Sequence, residues 1–116
     1  MSAKKSLLAL TDIRDAISRI ERYTKGKDLA DFRMDELVHD AVERCIEIIS
    51  EASRRIPDEL KEKHPEIPWH NVANIGNVLR HRYNSVSIPM LWEVVQQHLP
   101  PLKRAVRAML REVRRR

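Results

Sequence analysis

The stretch DELVHDAVERCIEIISEASRRI, residues 35 to 56, decides the fold of this chain. Its apolar residues recur at spacings of three and four and form two adjoining rows. The rows are Leu37, Ala41, Cys45, Ile48 and Ala52, and beside them Val38, Val42, Ile46 and Ile49. Such a pattern predicts an amphipathic helix with a broad apolar face. Asp35 is a good N-cap and Pro57 closes the segment, so we expect the central helix of the core from Asp35 to about Ile56.

The preceding residues predict a first helix from about Lys5 to Thr24, with one apolar stripe. The stripe consists of Leu10, Ile13, Ile17 and Ile20. Lys25-Gly26 is a typical helix end, with a cation in the last turn and glycine after it. We expect a connector from Lys27 to Met34, from which Phe32 plugs the core.

Prolines divide the rest of the chain. Pro57 to His64 can form one short helical turn, and Pro68 opens a third long helix that reaches about Tyr83. Gly76 lies in the packing stripe of that helix, where it permits close approach of another helix. A further helical pattern is interrupted by Pro100-Pro101, where we expect a kink or break followed by a basic amphipathic helix. That pattern consists of Ile88, Trp92, Val95 and Leu99, continued by Leu102, Val106, Met109 and Val113.

The composition excludes several classes of protein. With two glycines and 4% aromatic residues the chain lacks the materials of sheets and tight turns, so we expect an all-α, antiparallel bundle of four to five helices. Its 116 residues suit a single domain, residues 1–116. The chain has no apolar run long enough to cross a bilayer and no signal-peptide pattern, so a cytoplasmic location is the default expectation. The single cysteine, Cys45, is expected to be a small buried residue rather than a nucleophile.

Positive charge is concentrated at the C-terminal end. The tail, residues 103–116, holds seven cations and one anion, whereas the rest of the chain carries a net charge of −1. This pattern is typical of a phosphate-binding arm for nucleic acid. It is equally typical of a solvated helix end that the helix dipole favours. The sequence leaves both interpretations open.

The segment IGNVLRHRYNSV, residues 75 to 86, carries the candidate chemistry. Helical spacing places Asn77, Arg80, His81 and Asn84 on one face, within an arc of roughly 100°. A polar face of this kind is most often only a solvated surface. A histidine beside a cation and two amides can also bind a phosphate and move a proton near neutral pH.

This face predicts a route to RNA cleavage that needs no metal or other cofactor. His81 would exchange protons with the ribose 2′-hydroxyl or the leaving oxygen, and a second histidine from a facing homodimer partner would help. Arg80 would neutralise charge in the transition state, and Asn77 and Asn84 would hold the phosphate or orient the imidazole. Metal binding receives little support, because the five histidines form no helical ligand pair and no cysteine pair exists.

Three segments resemble the HepT-like family of the HEPN superfamily. They are residues 40 to 69, the triplet His81-Arg82-Tyr83, and residues 88 to 103; HPEIPW before the site helix and LPPLK near the end are specific in combination. The resemblance covers nearly the whole chain from the first helix on. It implies an all-α bundle acting as a homodimeric RNase toxin. It also implies a partner antitoxin, a minimal nucleotidyltransferase that silences the toxin by adding AMP to the tyrosine of a His-x-Tyr motif.

The family motif is an arginine, often followed by asparagine, then a histidine five positions after the arginine and a tyrosine two positions further. Asn77, His81 and Tyr83 match it, and Tyr83 is therefore the implied AMP acceptor. Gly76 stands where the motif has its arginine. Arg80 or Arg82 is the candidate replacement.

Two functional hypotheses follow from these residues and this resemblance. The first is an RNA-cleaving toxin in which His81, Arg80 and Asn77 carry catalysis and Asn84 and Arg82 contact phosphate. The second is a catalytically weak or inactive module that binds RNA, nucleotide or the nucleotidyltransferase. No membrane partner is expected under either hypothesis.

Overall fold

The computed structural model describes residues 3–80 and 87–115, and these residues form helices without a strand, as predicted. The α-helices are α1 (Ala3–Thr24), α2 (Leu29–Met34), α3 (Glu36–Ser53), α4 (Asp58–Lys61), α5 (Trp69–Arg80), α6 (Ile88–Glu93) and α7 (Leu99–Arg114), and the segment Val94–His98 between the last two is π-helical. Helix α3 lies at the centre, packed against α1 on one side and α5 on the other, and α7 packs on α1.

The core consists mainly of side chains from α1, α3 and α7. Its fully buried members include Leu10, Ile13, Ile20, Val42, Leu60 and Met109. Burying a side chain of this size contributes roughly 1.5 to 3 kcal/mol, so burial of these side chains is a large favourable contribution to folding. Ion pairs on the surface join parts of the chain that are distant in sequence: Lys103 Nζ of α7 lies 2.8 Å from Glu21 Oε2 of α1, and Lys63, in the turn after α4, bonds Glu112 of α7.

The predicted first helix is confirmed, and Gly26 follows its end with φ at +74°. A residue with a Cβ is strained in that conformation, which explains the glycine. The expected connector 27–34 is wrong in one respect, because residues 29–34 form α2. The side chains of Asp28 and Asp31 each accept a hydrogen bond from the other's backbone N–H. This capping box closes the N-terminus of the short helix. Phe32 plugs the core, as predicted, but from a helix.

The central helix ends earlier than the periodicity indicated, and its first turn is more exposed. Asp35 is its N-cap, with its carboxylate accepting from Val38 N, but the helix ends at Ser53 rather than near Ile56. Leu37 is 84% exposed, although it belongs to one of the two apolar rows. It lies in the first turn, where α2 joins α3 and none of the described helices covers it. Cys45 is buried, as predicted.

Pro100 and Pro101 interrupt α-helical hydrogen bonding, but helical backbone continues from Ile88 to Arg114. Neither residue has an N–H, and a proline ring clashes with the carbonyl four residues earlier. The preceding π-helical turn widens the helix at this point, and Leu99 N donates to the carbonyl of Val94, five residues back. The expected break is therefore a π-bulge. The basic amphipathic helix predicted after it is α7.

Candidate active site on helix α5

Helix α5 carries the described part of the candidate site. Pro68 precedes it, and Trp69 anchors its start, because the indole Nε1 donates to the carbonyl of His64 at 3.1 Å. Asn77 and Arg80 are both exposed, one turn apart on the helix surface. The Arg80 guanidinium donates a hydrogen bond to Asn77 Oδ1. The structure thus brings together the cation and the first amide of the predicted face.

The remaining predicted site residues are His81, Arg82, Tyr83 and Asn84, and they lie outside the described residues. Their assigned roles stay predictions. The structure does describe the helix that precedes them in the chain. Helix α5 is described up to Arg80, so its position on α3 fixes where the motif begins.

A buried serine joins α5 to the central helix. The Ser50 hydroxyl donates to the carbonyl of Ala73 at 2.9 Å and accepts from the backbone N–H of Gly76 at 3.0 Å. Ser50 is 1% exposed, so water does not compete for these bonds. Arg54, one turn further along the chain, donates to the same Ala73 carbonyl at 2.7 Å. Bonds to backbone atoms in a dry contact fix the height and rotation of α5 on α3.

Gly76 is the residue that permits this contact. A Cβ placed on Gly76 would lie 2.8 Å from Ser50 Oγ, closer than real Cβ atoms approach other atoms, and 3.1 Å from Ser50 Cβ, which is tighter than most such contacts. The close approach predicted from the glycine is confirmed. The same geometry bears on the family motif, because any side chain at this position, arginine included, would have to displace Ser50. In this chain the position serves helix packing.

An apolar cavity of about 330 Å³ lies between α3, α5 and the helix that contains the π-bulge. Among the described residues, its walls are mostly aliphatic and include Ile46, Val72, Ile75, Met90 and Leu102. Helical spacing puts Ile75 on the side of α5 opposite Asn77. The cavity therefore lies apart from the polar face of α5.

Comparison with known proteins gives the family. Residues 13–109 match the sequence profile described as ribonuclease HepT-like, a range that includes α5 and the whole predicted motif. The chain belongs to the HepT-like family. A relative named "Probable ribonuclease HepT" from Thermococcus cleftensis is 43% identical over 94 residues, which is 81% of this chain and 86% of the relative. No solved structure matches the chain significantly.

Two relatives from Methanocaldococcus jannaschii show how the HepT-like unit occurs. One, provisionally named an RNase, is 33% identical over 91% of this chain and 97% of its own length. The other is 38% identical over 90% of this chain but only 47% of its own length. Its name combines a gamma-glutamylcyclotransferase with a provisional RNase. The chain thus spans about half of that longer protein.

The described part of this HepT-like chain gives little support to thiol or metal chemistry. Burial raises the pKa of the Cys45 thiol, which outweighs the opposing effect of nearby Arg19, so the thiol is protonated at neutral pH and is a poor nucleophile. No group of three or more His, Cys, Asp or Glu side chains within residues 3–80 and 87–115 is placed to hold a metal ion. None of the helices in those ranges is both long and apolar enough to span a membrane.

Sequence reasoning did not find Ser50 and Arg54, the two residues that hold α5. Gly76 indicated that some helix approaches closely, but nothing in the local pattern names the partner. Ser50 comes directly after Ile49, the last residue of one apolar row, and a serine at that position does not indicate a contact with another helix. The pairing becomes visible only when α3 and α5 are packed.

Proposed function

We propose that this HepT-like chain cleaves RNA without a metal ion and that His81 moves the protons. The observation that supports this most directly is the exposed Arg80–Asn77 pair, held at the end of α5 and followed at once by His81. Its family profile covers the same segment, and relatives carry ribonuclease names. A guanidinium with a fixed amide beside it is a suitable site for one phosphate.

The reaction is an internal displacement at phosphorus. A base removes the proton of the ribose 2′-hydroxyl, and the 2′-oxygen forms a bond to the adjacent phosphorus. The bond from phosphorus to the 5′-oxygen breaks, and an acid donates a proton to that oxygen. Histidine suits either role, because its ordinary pKa of about 6.5 lies near neutral pH. A homodimer with two facing copies of His81 would supply both roles.

Arg80 and Asn77 act on the phosphate rather than on the protons. Negative charge grows on the non-bridging oxygens as the 2′-oxygen attacks, and the guanidinium of Arg80 stabilises it. The Asn77 carbonyl oxygen orients that guanidinium and leaves the amide NH₂ of Asn77 to donate to the phosphate. Asn84 and Arg82 are proposed as further phosphate contacts. Removing one donor of this kind typically slows catalysis about 10²- to 10³-fold, and we expect this for Arg80→Ala.

The biological setting we propose is a toxin–antitoxin pair. The partner would be a minimal nucleotidyltransferase that transfers AMP from ATP to the Tyr83 hydroxyl, with pyrophosphate as the leaving group, and so blocks the phosphate site next to His81. Expression of the chain alone should arrest growth, and co-expression of the nucleotidyltransferase should restore it. Peptide mass spectrometry should then find AMP on Tyr83. Tyr23→Phe is the matched control, because Tyr23 is the other tyrosine of the chain, and its loss should leave the modification intact.

A second candidate function is a binding module with weak or no catalysis. The observation that favours it is the packing of Gly76, where Ser50 occupies the space that the motif arginine would need. Such a module would still pair with the nucleotidyltransferase and bind RNA or nucleotide. Harmless expression together with a stable complex would support this candidate.

The two candidates are separated by cleavage of RNA in EDTA. We expect the wild-type chain to cleave and His81→Ala to be inactive. His70→Ala is the matched control, since His70 is an exposed histidine at the other end of α5 and should keep full activity. Equal rates for wild type and His81→Ala, or no cleavage by the wild type, would exclude the catalytic proposal.

A further inference from the structure

Helix α7 presents a strip of exposed arginines that the proposed catalytic site does not use. Its members are Arg104, Arg107, Arg111, Arg114 and Arg115. At about 100° per residue they fall within roughly 100° of arc, and at 1.5 Å per residue they extend over about 16 Å. The opposite face of α7 is buried in the core. We name this surface the arginine strip.

Neighbouring carboxylates do not neutralise the arginine strip. Glu112, on its edge, bonds Lys63, and Glu21 of α1 pairs with Lys103. Two exposed arginines elsewhere are ion-paired, Arg44 with Glu47 and Arg55 with two carboxylates, whereas Arg22 and Arg33 are single unpaired cations among the described residues. Within the part of the chain that the structure describes, the five arginines of the strip form no ion pair. Their positive charges therefore add to one field along α7.

Favourable interaction with the helix dipole does not account for the arginine strip. The dipole acts within about one turn of the helix end. Arg104 and Arg107 lie two to three turns before the end of α7, so it gives no reason for cations there. Residue choice points the same way, because six of the seven cations in residues 103–116 are arginines, and up to Arg115, where the description ends, the lysine is the one that is ion-paired. Arginine is the side chain suited to bidentate phosphate contacts.

We propose that the arginine strip binds the phosphate backbone of RNA, at a site separate from the cleavage site. Helix α5 packs mainly on α3 and α7 mainly on α1; the first turn of α7 lines the apolar cavity together with α5, and the strip begins after that turn. The strip therefore holds a length of the RNA away from the scissile bond and reads no bases. This inference rests on the proposed RNA substrate but not on catalysis.

The test measures binding of a fluorescein-labelled single-stranded RNA by anisotropy over a series of salt concentrations, in the His81→Ala background so that the RNA stays intact. The variant is Arg107→Gln with Arg111→Gln, at the middle of the strip. Each lost phosphate contact lowers the slope of log K against log salt by about 0.7, so the double variant should lose about 1.4. The ratio of the parent's association constant to that of the double variant should then fall about 7-fold between 50 and 200 mM salt.

The matched control is Arg33→Gln with Arg44→Gln, which removes the same charge from exposed positions on α2 and α3. It should keep the parent slope, and Arg107→Lys with Arg111→Lys should restore most of it. Circular dichroism checks that each variant is folded. An unchanged slope in the strip variant would overturn the proposal. If that variant instead lost binding to phosphatidylserine-containing vesicles at an unchanged RNA slope, the strip would serve a membrane surface and the proposal would again be wrong. Cleavage by the wild type is scored separately, so either proposal can fail alone.

Discussion

Replacing Gly76 with alanine should destabilise the protein, although alanine is the better helix former. In an ordinary helix interior this change is favourable by about 1 kcal/mol. Here the new Cβ would lie 2.8 Å from Ser50 Oγ, which already accepts the Gly76 N–H and donates to Ala73. Either the serine rotates and gives up these bonds or α5 moves away from α3. The perturbation therefore tests whether the α3–α5 contact is as close as described.

The magnitude follows from two opposing effects. Overpacking a close contact costs typically 1 to 3 kcal/mol, and this distance belongs at the upper end of that range. After subtracting the propensity gain of about 1 kcal/mol, the free energy of unfolding should fall by about 1 to 2 kcal/mol. Ser50→Ala should cost about 1 to 2 kcal/mol, because it removes both of its hydrogen bonds while Arg54 still bonds Ala73.

The assay is urea unfolding of a double-mutant cycle. With Ser50→Ala in place the nearest atom to the new Cβ is 3.1 Å away instead of 2.8 Å, so the two costs should not add. The double variant should lose less unfolding free energy than the sum of the two single losses, by about 1 kcal/mol or more. Asn74→Ala is the matched control, an exposed site on the same helix where alanine should be neutral or stabilising. Stabilisation by Gly76→Ala, or strict additivity, would refute the packing we describe.

Two further predictions concern stability. Burial, with repulsion from Glu47 and Asp40, raises the pKa of Glu43, so its ionised form is disfavoured in the folded state and protonation stabilises the fold. Glu43→Gln should therefore raise the melting temperature at pH 7. In thermal melts at a series of pH values, the difference in melting temperature from the wild type should shrink as the pH falls through the raised pKa of Glu43. A difference that stays constant with pH would contradict this prediction. Leu37→Lys should change the unfolding free energy by less than about 0.5 kcal/mol, whereas Ile46→Ala, from the neighbouring row, should cost roughly 2 to 5 kcal/mol in the same urea assay. A large loss at Leu37 would mean that its exposed position is wrong.

The fold was predictable to the extent that it depends on periodic apolar residues. The stripes of α1, α3 and α7 are long and regular, and their buried faces agree with the pattern. Errors occurred at the ends of elements. Helix α2 has only six residues, which is too short to show a repeating apolar stripe, so a search for stripes missed it. Leu37 fits the periodicity, but burial also requires a neighbouring helix, and the sequence of one helix does not show where its neighbours end.

The candidate site was predictable only where residues share one helix. Asn77 and Arg80 are three apart, so local geometry suffices to bring them together. Ser50 and Gly76 are joined by packing between elements far apart in the chain. Whether Pro100-Pro101 would give a break or a π-bulge depended on how the core holds both halves of the helix. The arginine strip lies between these cases. Its charges are plain in the sequence, but only the structure shows that adjacent acids are bonded to lysines.

The chemical nature of the cleaved RNA ends tests the central claim most directly. A labelled RNA is incubated with the purified protein in EDTA, and the ends of the products are identified by mass spectrometry. Proton transfer by His81 and attack by the 2′-oxygen predict a 2′,3′-cyclic phosphate on one product and a 5′-hydroxyl on the other, both absent with His81→Ala. Products with 3′-hydroxyl and 5′-phosphate ends, or cleavage that requires a divalent metal, would contradict the account.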